Sequence, residues 1–227
     1  MALLYIIGTP IGNLGDISFR AVEILKNADL VACEDTRQTL KLLNHLGISV
    51  KMLSLRAGNE IYAAQKIIGL LNDGKTVAYA SDAGTPALSD PGAILVRKAA
   101  EAGHKIIPIP GPSAFAALLS VAGGLDKSVI FEGFLSPKAG RRKSRLKELL
   151  ETGYGFVVFE SPHRIIKLFA DLADLDKSRY VCLGKEITKL HEDFKRGAAG
   201  DIYDILGKMS EKGEIRGEFS VFVSGKK

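Results

Sequence analysis

The chain has 227 residues, of which 46% are hydrophobic and 25% are charged, and its formal net charge is +5. This composition excludes a disordered chain or a fibrous repeat, and no apolar run reaches the ~18 residues that span a bilayer. Two cysteines, Cys33 and Cys182, are too few for a disulfide framework, so we expect both to be buried thiols. Because the N-terminus lacks the cationic segment and cleavage site of a signal peptide, we expect a cytoplasmic protein.

Short apolar runs alternate with stretches of helical spacing through the first half of the chain. The strand-like runs lie at 3–7, 30–33, 76–80 and 106–109. Helices are predicted at 17–27 with Asp16 as N-cap, in a segment that stops at Gly47, and from 90 to 103. This alternation is typical of βαβ units and predicts an α/β fold with a mostly parallel sheet.

A dense proline and glycine segment at 108–112 divides the pattern, and a small-residue helix is predicted after it at 113–121. We place the boundary after that helix, between an N-terminal α/β domain at 1–122 and a C-terminal α/β domain at 123–227. The second domain is predicted to hold a mixed sheet. Its predicted elements are strands at 128–131, 156–159 and 180–183, helices at 141–150 and 163–172, and a last run at 218–223 that alternates as an exposed or edge strand would.

Two phosphate-binding patterns fail in their context. Residues 69–76, GLLNDGKT, match the P-loop pattern, but a helix precedes these glycines and a strand follows, which is the reverse of a P-loop. We interpret 72–74 as a helix stop and turn. The loop 8–15 has the strand-to-helix position of a dinucleotide fingerprint, but its glycines do not spell that motif and Pro10 removes a backbone N–H.

Three glycine-rich loops share one position relative to the predicted sheet. The loops at 8–15, 81–92 and 110–114 each follow a strand, and the carboxyl ends of parallel strands meet at one edge, where ligands of open α/β sheets bind. Three unrelated tight turns would explain the glycines and prolines but not this shared position. We therefore predict one ligand pocket, in which Asp82 bonds hydroxyl or amino groups of the ligand.

Six basic residues and no acid lie between 138 and 147, so this segment carries more than the whole net charge of the chain. They are Lys138, Arg141, Arg142, Lys143, Arg145 and Lys147. A charge run of this kind is either a solvated helix face or the contact surface for a polyanion such as RNA. Charge alone leaves both interpretations open.

Seven motifs occur in the order and spacing of one family, over essentially the whole chain. They are TPIGNLGD (9–16), CEDTR (33–37), SDAGTPALSDPG (81–92), PGPSA (110–114), FEGFL (131–135), FESPHR (159–164) and KEITKLHE (185–192). The chain resembles the ribosomal RNA ribose methyltransferases of the tetrapyrrole methylase superfamily. The resemblance implies a two-domain enzyme of that fold, a homodimer, with S-adenosylmethionine bound between the domains and no metal. The implied reaction methylates the 2′-hydroxyl of a cytidine in the decoding region of 16S rRNA. The implied partner is this rRNA within the small ribosomal subunit.

The strand-end positions and the resemblance indicate a donor-binding set, and the basic segment at 138–147 indicates an RNA-binding set. The donor-binding candidates are Pro10, Asp82, Gly84, Pro86, Gly111, Pro112 and Ser113. The RNA-binding candidates are Arg141, Arg142, Lys143 and Arg145.

Removal of the 2′-hydroxyl proton calls for a nearby acceptor, worth ~10² to 10⁴ in rate. Strand-end candidates are Glu34, Asp35, Glu160, Lys185 and Glu186, and Asp35 has the alternative role of a helix cap. We favour the second-domain loops and select Glu160, Arg164, Lys185 and Glu186 as catalytic residues. Arg164 is included because a cation in the first turn of a helix opposes the dipole, so helix stabilisation does not explain it; we expect it to bind phosphate or a carboxylate.

Two other functions remain open at this stage. One is the methylation of a carbon atom of a tetrapyrrole such as a precorrin, against which the basic cluster and the TPIGN loop speak. The other is a non-catalytic RNA-binding protein that acts in ribosome assembly.

Overall fold

The computed structural model describes residues 2–124 and 127–226. The chain forms two compact units, Met1–Ser113 and Ala114–Lys227. Each unit is built on one five-stranded sheet. Within the described residues no helix has the length and apolar character needed to cross a membrane.

The first unit is a parallel α/β layer structure, as the alternation predicted. Its elements are β1 (Leu3–Ile7), α1 (Phe19–Asn27), β2 (Leu30–Cys33), α2 (Thr36–His45), β3 (Met52–Ser54), α3 (Glu60–Asn72), β4 (Val77–Ala80), α4 (Ala93–Glu101) and β5 (Lys105–Ile109). The strand order is β3-β2-β4-β1-β5, and every neighbouring pair is parallel. The turn at 72–74 follows a helix and leads to a strand, which confirms that the P-loop pattern there is fortuitous.

Helices cover both faces of the first sheet. Helices α3 and α4 pack Ile67, Leu71 and Leu95 against one face, and α1 and α2 pack Leu25 and Leu43 against the other. Each large apolar side chain buried in this way stabilises the fold by about 1.5–3 kcal/mol. All four residues of β4 are buried because the sheet is covered on both sides. The strand ends that carry the loops are therefore held in a rigid layer.

Two predicted helix starts in this unit are wrong. Ser18, not Asp16, caps α1, since the Ala21 N–H donates to Ser18 Oγ at 3.2 Å and Asp16 belongs to a short 3-10 turn. Helix α4 begins after Gly92 rather than at Asp90. The reason is a tertiary contact: the buried Glu60 carboxylate accepts hydrogen bonds from the N–H groups of Gly92 and Ile94, both at 2.9 Å.

The second unit has the mixed sheet that the sequence predicted. Its elements are α5 (Ala114–Ala122), β6 (Val129–Phe134), α6 (Ala139–Glu151), β7 (Gly155–Glu160), α7 (Ile165–Asp176), β8 (Tyr180–Lys185), β9 (Asp193–Ala198), α8 (Ala199–Glu211) and β10 (Phe219–Val223). The strand order is β6-β7-β10-β8-β9, with β6 and β7 parallel and the remaining pairs antiparallel. The sequence analysis did not identify β9 and α8.

Helix α5 belongs to the second unit, so the units divide before this helix and not after residue 122. Two hydrogen bonds fix its C-terminal end. The Tyr180 hydroxyl donates to the Ala122 carbonyl at 2.6 Å, and Arg196 Nε donates to the Val121 carbonyl at 2.8 Å. The proline-rich segment 108–112 marks the boundary itself, and the apolar helix after it needs the second sheet to cover it.

Strand β10 lies at the centre of the second sheet, so its prediction as an exposed or edge strand is wrong. It pairs with β7 on one side and β8 on the other, and all five of its residues are buried. Phe219, Val221 and Val223 belong to the main core of the unit. The polar Ser220 suggested an exposed face, but this residue is only 7% exposed because α5 packs on β8 and β10.

Replacing Phe222 by alanine tests this central position. Phe222 is fully buried in β10, so we expect Phe222→Ala to lower the free energy of unfolding by about 3–5 kcal/mol in urea titrations. Tyr154→Ala is the control, because Tyr154 is 53% exposed and its truncation should change stability little. Equal, small effects of the two substitutions would contradict a central β10.

Candidate active site

The three glycine-rich loops of the first unit meet, as their strand-end positions predicted. Thr9 and Gly84 exchange two backbone hydrogen bonds of 2.9 and 3.1 Å, which join the loops after β1 and β4. The Thr9 hydroxyl also donates to the Ser81 carbonyl at 3.1 Å. Gly8 N–H donates to the Ile109 carbonyl at 3.0 Å and ties the β1 loop to the end of β5.

Glycine is required where the β1 and β5 loops cross. A Cβ atom on Gly111 would lie 2.5 Å from the Gly8 carbonyl oxygen, and one on Gly8 would lie 2.8 Å from the Gly111 Cα. Gly84 has a φ of +80°, and a Cβ there would lie 3.9 Å from the Pro112 carbonyl oxygen. The structure therefore gathers three of the predicted donor-binding residues into one backbone cluster.

The other four predicted donor-binding residues lie in the same loops with different exposure. Pro10 follows Thr9 and is half-buried, and Ser113 is half-buried beyond Pro112. Asp82 is exposed, whereas Pro86 is buried. Of this set, Asp82 is the residue that presents a charged side chain to solvent beside the joined loops.

A fourth loop, after β2, joins the cluster and was not part of the predicted donor-binding set. The Asp35 N–H donates to Asp82 Oδ1 at 2.9 Å. Asp35 Oδ1 in turn accepts the Arg37 N–H at 2.9 Å, so Asp35 caps α2, which confirms the alternative that the sequence analysis left open. The CEDTR motif at a strand end was the signal for this loop.

Negative charge accumulates at this edge of the first sheet. Burial raises the pKa of Glu34, and the nearby charges of Asp82 and Asp90 raise it further. Burial also raises the pKa of Asp90, with an added contribution from Asp82 and an opposing hydrogen bond from the Ser81 hydroxyl. A raised carboxyl pKa means that the surroundings supply too little positive charge and too few hydrogen bonds to stabilise the carboxylate. Such an under-compensated site favours the binding of a cationic group.

Backbone strain is concentrated in two of the motif loops. Four non-glycine residues in the described ranges have positive φ: Ala87 (65°), Ser89 (71°), Glu186 (51°) and Thr188 (67°). Each such residue costs about 1–3 kcal/mol and persists only where its surroundings enforce it. In the 81–92 loop that enforcement comes from the Glu60 contacts and from the Tyr79 hydroxyl, which donates to the Pro91 carbonyl at 2.7 Å.

The predicted catalytic residues of the second unit lie at one edge of its sheet. Glu160 at the end of β7 and Lys185 at the end of β8 are both in register with Phe219 of β10. They therefore flank a single strand, with backbones about 10 Å apart. Arg164 and Glu186 follow these strand ends in the chain, so the structure brings all four to the same edge.

Glu160 and Arg164 form a close ion pair. Glu160 Oε1 lies 2.7 Å from Arg164 Nε in this pair, and it accepts a hydrogen bond from the Ser161 N–H, also at 2.7 Å. Arg164 Nη1 also donates to the Leu135 carbonyl at 3.3 Å. The residue Glu160 is 2% exposed, whereas the Arg164 side chain is 24% exposed. The carboxylate partner expected for Arg164 is thus Glu160, and Arg164 is the member of the pair that solvent reaches.

Lys185 and Glu186 are held by the segment before β10. Lys185 Nζ donates to the Glu214 carbonyl at 2.9 Å. Glu186 Oε1 accepts from Lys189 Nζ and from the Glu218 N–H, both at 2.9 Å. Burial opposes ionisation of Glu186, but these hydrogen bonds outweigh it and lower its pKa. Glu186 is therefore a weak proton acceptor that fastens the strained loop.

The basic cluster on α6 is largely neutralised by acids from other elements. Arg142 is only 4% exposed and pairs with Asp171 of α7 at 2.7 Å. Lys143 pairs with Asp174 of α7. These two predicted RNA-binding residues therefore attach α6 to α7, and Arg142 is not accessible to a ligand.

The other two predicted RNA-binding residues differ from each other. Glu132 of β6 accepts two hydrogen bonds from Arg145, at 2.8 and 2.9 Å, and Glu148 accepts a third at 3.0 Å. Arg141 is exposed, and no hydrogen bond or ion pair of its side chain is found in the described part of the chain. Of the four, Arg141 alone remains unneutralised among the described residues.

Comparison with known proteins identifies the family. Residues 3–203 match the family model of the tetrapyrrole (corrin/porphyrin) methylases. The chain belongs to the tetrapyrrole methylase family. Several relatives carry the name ribosomal RNA small subunit methyltransferase I, and two of them show the extent of the similarity. One, from Neisseria meningitidis serogroup B, is 46% identical over 215 residues, which cover 95% of this chain and 73% of the relative. The other, from Borrelia garinii subsp. bavariensis, is 42% identical over 222 residues, which cover 98% of each chain.

Solved structures of other tetrapyrrole methylases share the fold of this one. A cobalt precorrin-4 methyltransferase superposes with a TM-score of 0.69 at 20% identity, covering 98% of this chain and 94% of that chain. A uroporphyrin-III C-methyltransferase from Thermus thermophilus superposes with a TM-score of 0.65 at 17% identity, with the same coverage. The predicted fold class and family are both confirmed.

Several residues that shape this tetrapyrrole methylase site were missed from the sequence. Thr9, Glu60, Tyr79 and Ser81 hold the loops through buried or partly buried hydrogen bonds. Each has a local signal, because each is a polar group within or beside an apolar run. That signal does not identify the hydrogen-bond partner of the polar group, which lies up to 72 positions away in the chain.

The crowded carboxylates predict a pH dependence of stability. Since the pKa of Asp90 is raised above its ordinary value of 3.8 in the folded state, its contribution to stability is lost as the pH rises through the folded pKa. We therefore expect Asp90→Asn to raise the urea midpoint at pH 7, with the gain disappearing below about pH 3.8. Asp73→Asn, in an exposed turn of the same unit, is the control. A lower urea midpoint for Asp90→Asn than for the unmodified protein at pH 7 would contradict the inference that the ionised Asp90 carboxylate destabilises the fold.

Proposed function

We propose that this chain transfers the methyl group of S-adenosylmethionine to the 2′-hydroxyl of a cytidine in the decoding region of 16S rRNA. The supporting observation is the 46% identity to a relative named ribosomal RNA small subunit methyltransferase I. We further propose that the enzyme acts as a homodimer on the small ribosomal subunit. The loops of the first unit then bind the donor, and the sheet edge of the second unit binds the acceptor RNA.

The residues of the first unit fit such a donor. S-adenosylmethionine supplies an electrophilic methyl carbon on a positively charged sulfur, and it carries an ammonium group as well. Glu34 and Asp90, with their raised pKa values, provide under-compensated negative charge that suits those cations. Gly111 lacks a side chain and so lets the β1 and β5 loops meet closely, which fixes the backbone that we assign to the donor. One oxygen of Asp82 already accepts the Asp35 N–H, and the other is available to hydroxyl or amino groups.

Positioning is the main task that we assign to the chain. Methyl transfer is an in-line displacement, and correct orientation of the two reactants supplies a large part of the rate. The backbone bonds between Thr9 and Gly84 fix the donor loops before the ligand binds. In the second unit we assign Arg164 and Lys185 to contact with the acceptor RNA. Glu160 orients Arg164, and Glu186 fixes the loop that carries Lys185.

Labelled methyl donor tests the reaction directly. The protein is incubated with the donor and, in parallel, with small ribosomal subunits, free 16S rRNA or a precorrin-type tetrapyrrole. We expect label on a ribose of the RNA. Label on the tetrapyrrole alone would favour the methylation of a tetrapyrrole carbon, the activity for which the solved structures of similar fold are named. Binding of subunits without any transfer would favour a non-catalytic assembly protein.

Gly111→Ala tests the donor-binding loops. The added Cβ would lie 2.5 Å from the Gly8 carbonyl oxygen, so the two loops must separate. We expect the calorimetric Kd for S-adenosylmethionine to rise by about tenfold or more, since a loss of only ~1.4 kcal/mol has that effect. Gly69→Ala is the matched control, because a Cβ at this helical position meets no atom within 4 Å. Unchanged donor affinity in Gly111→Ala would contradict the assignment.

Arg164→Ala tests the acceptor edge. Loss of the guanidinium removes the exposed member of the Glu160 pair, so we expect the single-turnover rate at saturating donor to fall about a hundredfold, with the donor Kd unchanged. Glu160→Gln keeps an acceptor oxygen and should have a smaller effect. Lys167→Ala removes an exposed cation elsewhere on α7 and serves as the control. A near-native rate in Arg164→Ala would exclude this residue from the reaction.

A further inference from the structure

A row of phenylalanines crosses the second unit and ends at its surface. Phe115 packs edge-on against Phe131 at a centroid distance of 5.2 Å, and Phe131 packs against Phe159 at the same distance. Phe134 completes the row with a centroid 5.9 Å from Phe159. Three members are half-buried, but Phe134 is 58% exposed. The row therefore supports one aromatic ring from behind and leaves that ring open to solvent.

The exposed ring lies at the edge that carries the proposed acceptor residues. Phe134 is in register with Phe159, the residue before Glu160. The residue after it, Leu135, accepts the hydrogen bond from Arg164 Nη1 at 3.3 Å. Phe134 therefore lies close to both members of the ion pair. Its strand partner Phe159 precedes Glu160, and its chain neighbour Leu135 is bonded to Arg164.

Unneutralised positive charge follows this ring closely in the chain. Lys138 and Arg141 are exposed at the start of α6, a few residues after Phe134, and no ion pair of either side chain occurs in residues 2–124 and 127–226. Cations at a helix N-terminus oppose the helix dipole, so helix stability does not account for them. The rest of the basic cluster is paired with acids, which confines its free charge to the N-terminal end of α6, shortly after Phe134 in the chain.

We propose that Phe134 is a stacking platform for an unpaired base of the RNA, with Lys138 and Arg141 bound to flanking phosphates. This inference rests on the proposed function and names how the acceptor is held. Single-stranded RNA is commonly recognised by an aromatic ring that stacks on a base beside cations that track the backbone. One stacked base contributes about 5- to 150-fold in affinity. A ring rigidly supported by Phe159 loses little freedom on binding.

Substitutions at Phe134 separate stacking from simple apolar contact. We expect Phe134→Ala and Phe134→Leu to raise KM for small subunits by about 10- to 100-fold, with kcat and the donor Kd unchanged. Phe134→Trp should restore KM and should quench 2-aminopurine in a single-stranded RNA oligonucleotide as the unmodified protein does. Tyr154→Ala is the matched control, since Tyr154 is similarly exposed but precedes β7, at the opposite end of that strand from Glu160.

The remaining outcomes distinguish this inference from the function on which it rests. Normal KM in Phe134→Ala, with an active unmodified enzyme, would overturn the platform alone. Wild-type behaviour of Phe134→Leu would also overturn it, because leucine keeps the apolar surface but cannot stack. A change in sedimentation mass without a change in KM would assign Phe134 to a contact with a second copy of the chain instead. An unmodified protein that methylates no ribosomal RNA would overturn the proposed function and the platform together.

Discussion

The crossing of Gly8 and Gly111 is the contact on which the first unit's site depends. Neither position has room for a Cβ atom, because the backbone of one residue occupies the space that the side chain of the other would need. This approach allows the loops after β1 and β5 to meet over a parallel sheet whose strand ends are fixed by helices on both faces. The Thr9–Gly84 bonds then add the β4 loop, and the Asp35–Asp82 bond adds the β2 loop.

Strain and like charge are the costs of this arrangement, and buried hydrogen bonds offset them. Ala87 and Ser89 take left-handed conformations in a loop that also carries under-compensated carboxylates. That loop is held where it leaves β4 by the Thr9 bond to the Ser81 carbonyl, and where it enters α4 by the Tyr79 bond to Pro91 and the Glu60 bond to Gly92. Anchors at both ends let the middle of the loop keep a conformation that is unfavourable by itself. The same division between anchor and strained segment recurs around Glu186 and Thr188 in the second unit.

In the second unit, acids decide which cations are available. Asp171, Asp174 and Glu132 engage most of the positive charge on α6, and Glu160 engages Arg164 without covering it. Removing an acid from such a pair would leave a partly buried charge alone, which costs more than the pair itself contributes. The exposed cations of the basic cluster that remain unpaired lie at the start of α6, a localisation that the net charge of +5 alone does not show.

The sequence by itself determined the α/β class and the common position of the three loops, because apolar periodicity and glycine and proline turns are properties of neighbouring residues. Its seven motifs indicated the family by resemblance. It also offered the helix cap as one of two roles for Asp35, and the structure shows that cap. Only the tertiary structure decided that β10 is central, that α5 belongs to the second unit and that Arg142 is buried. Each of these depends on a partner distant in the chain: the strands β7 and β8, the Tyr180 hydroxyl and the Asp171 carboxylate. The local sequence pattern predicts whether a residue is buried, whereas only tertiary packing determines which distant residues contact it.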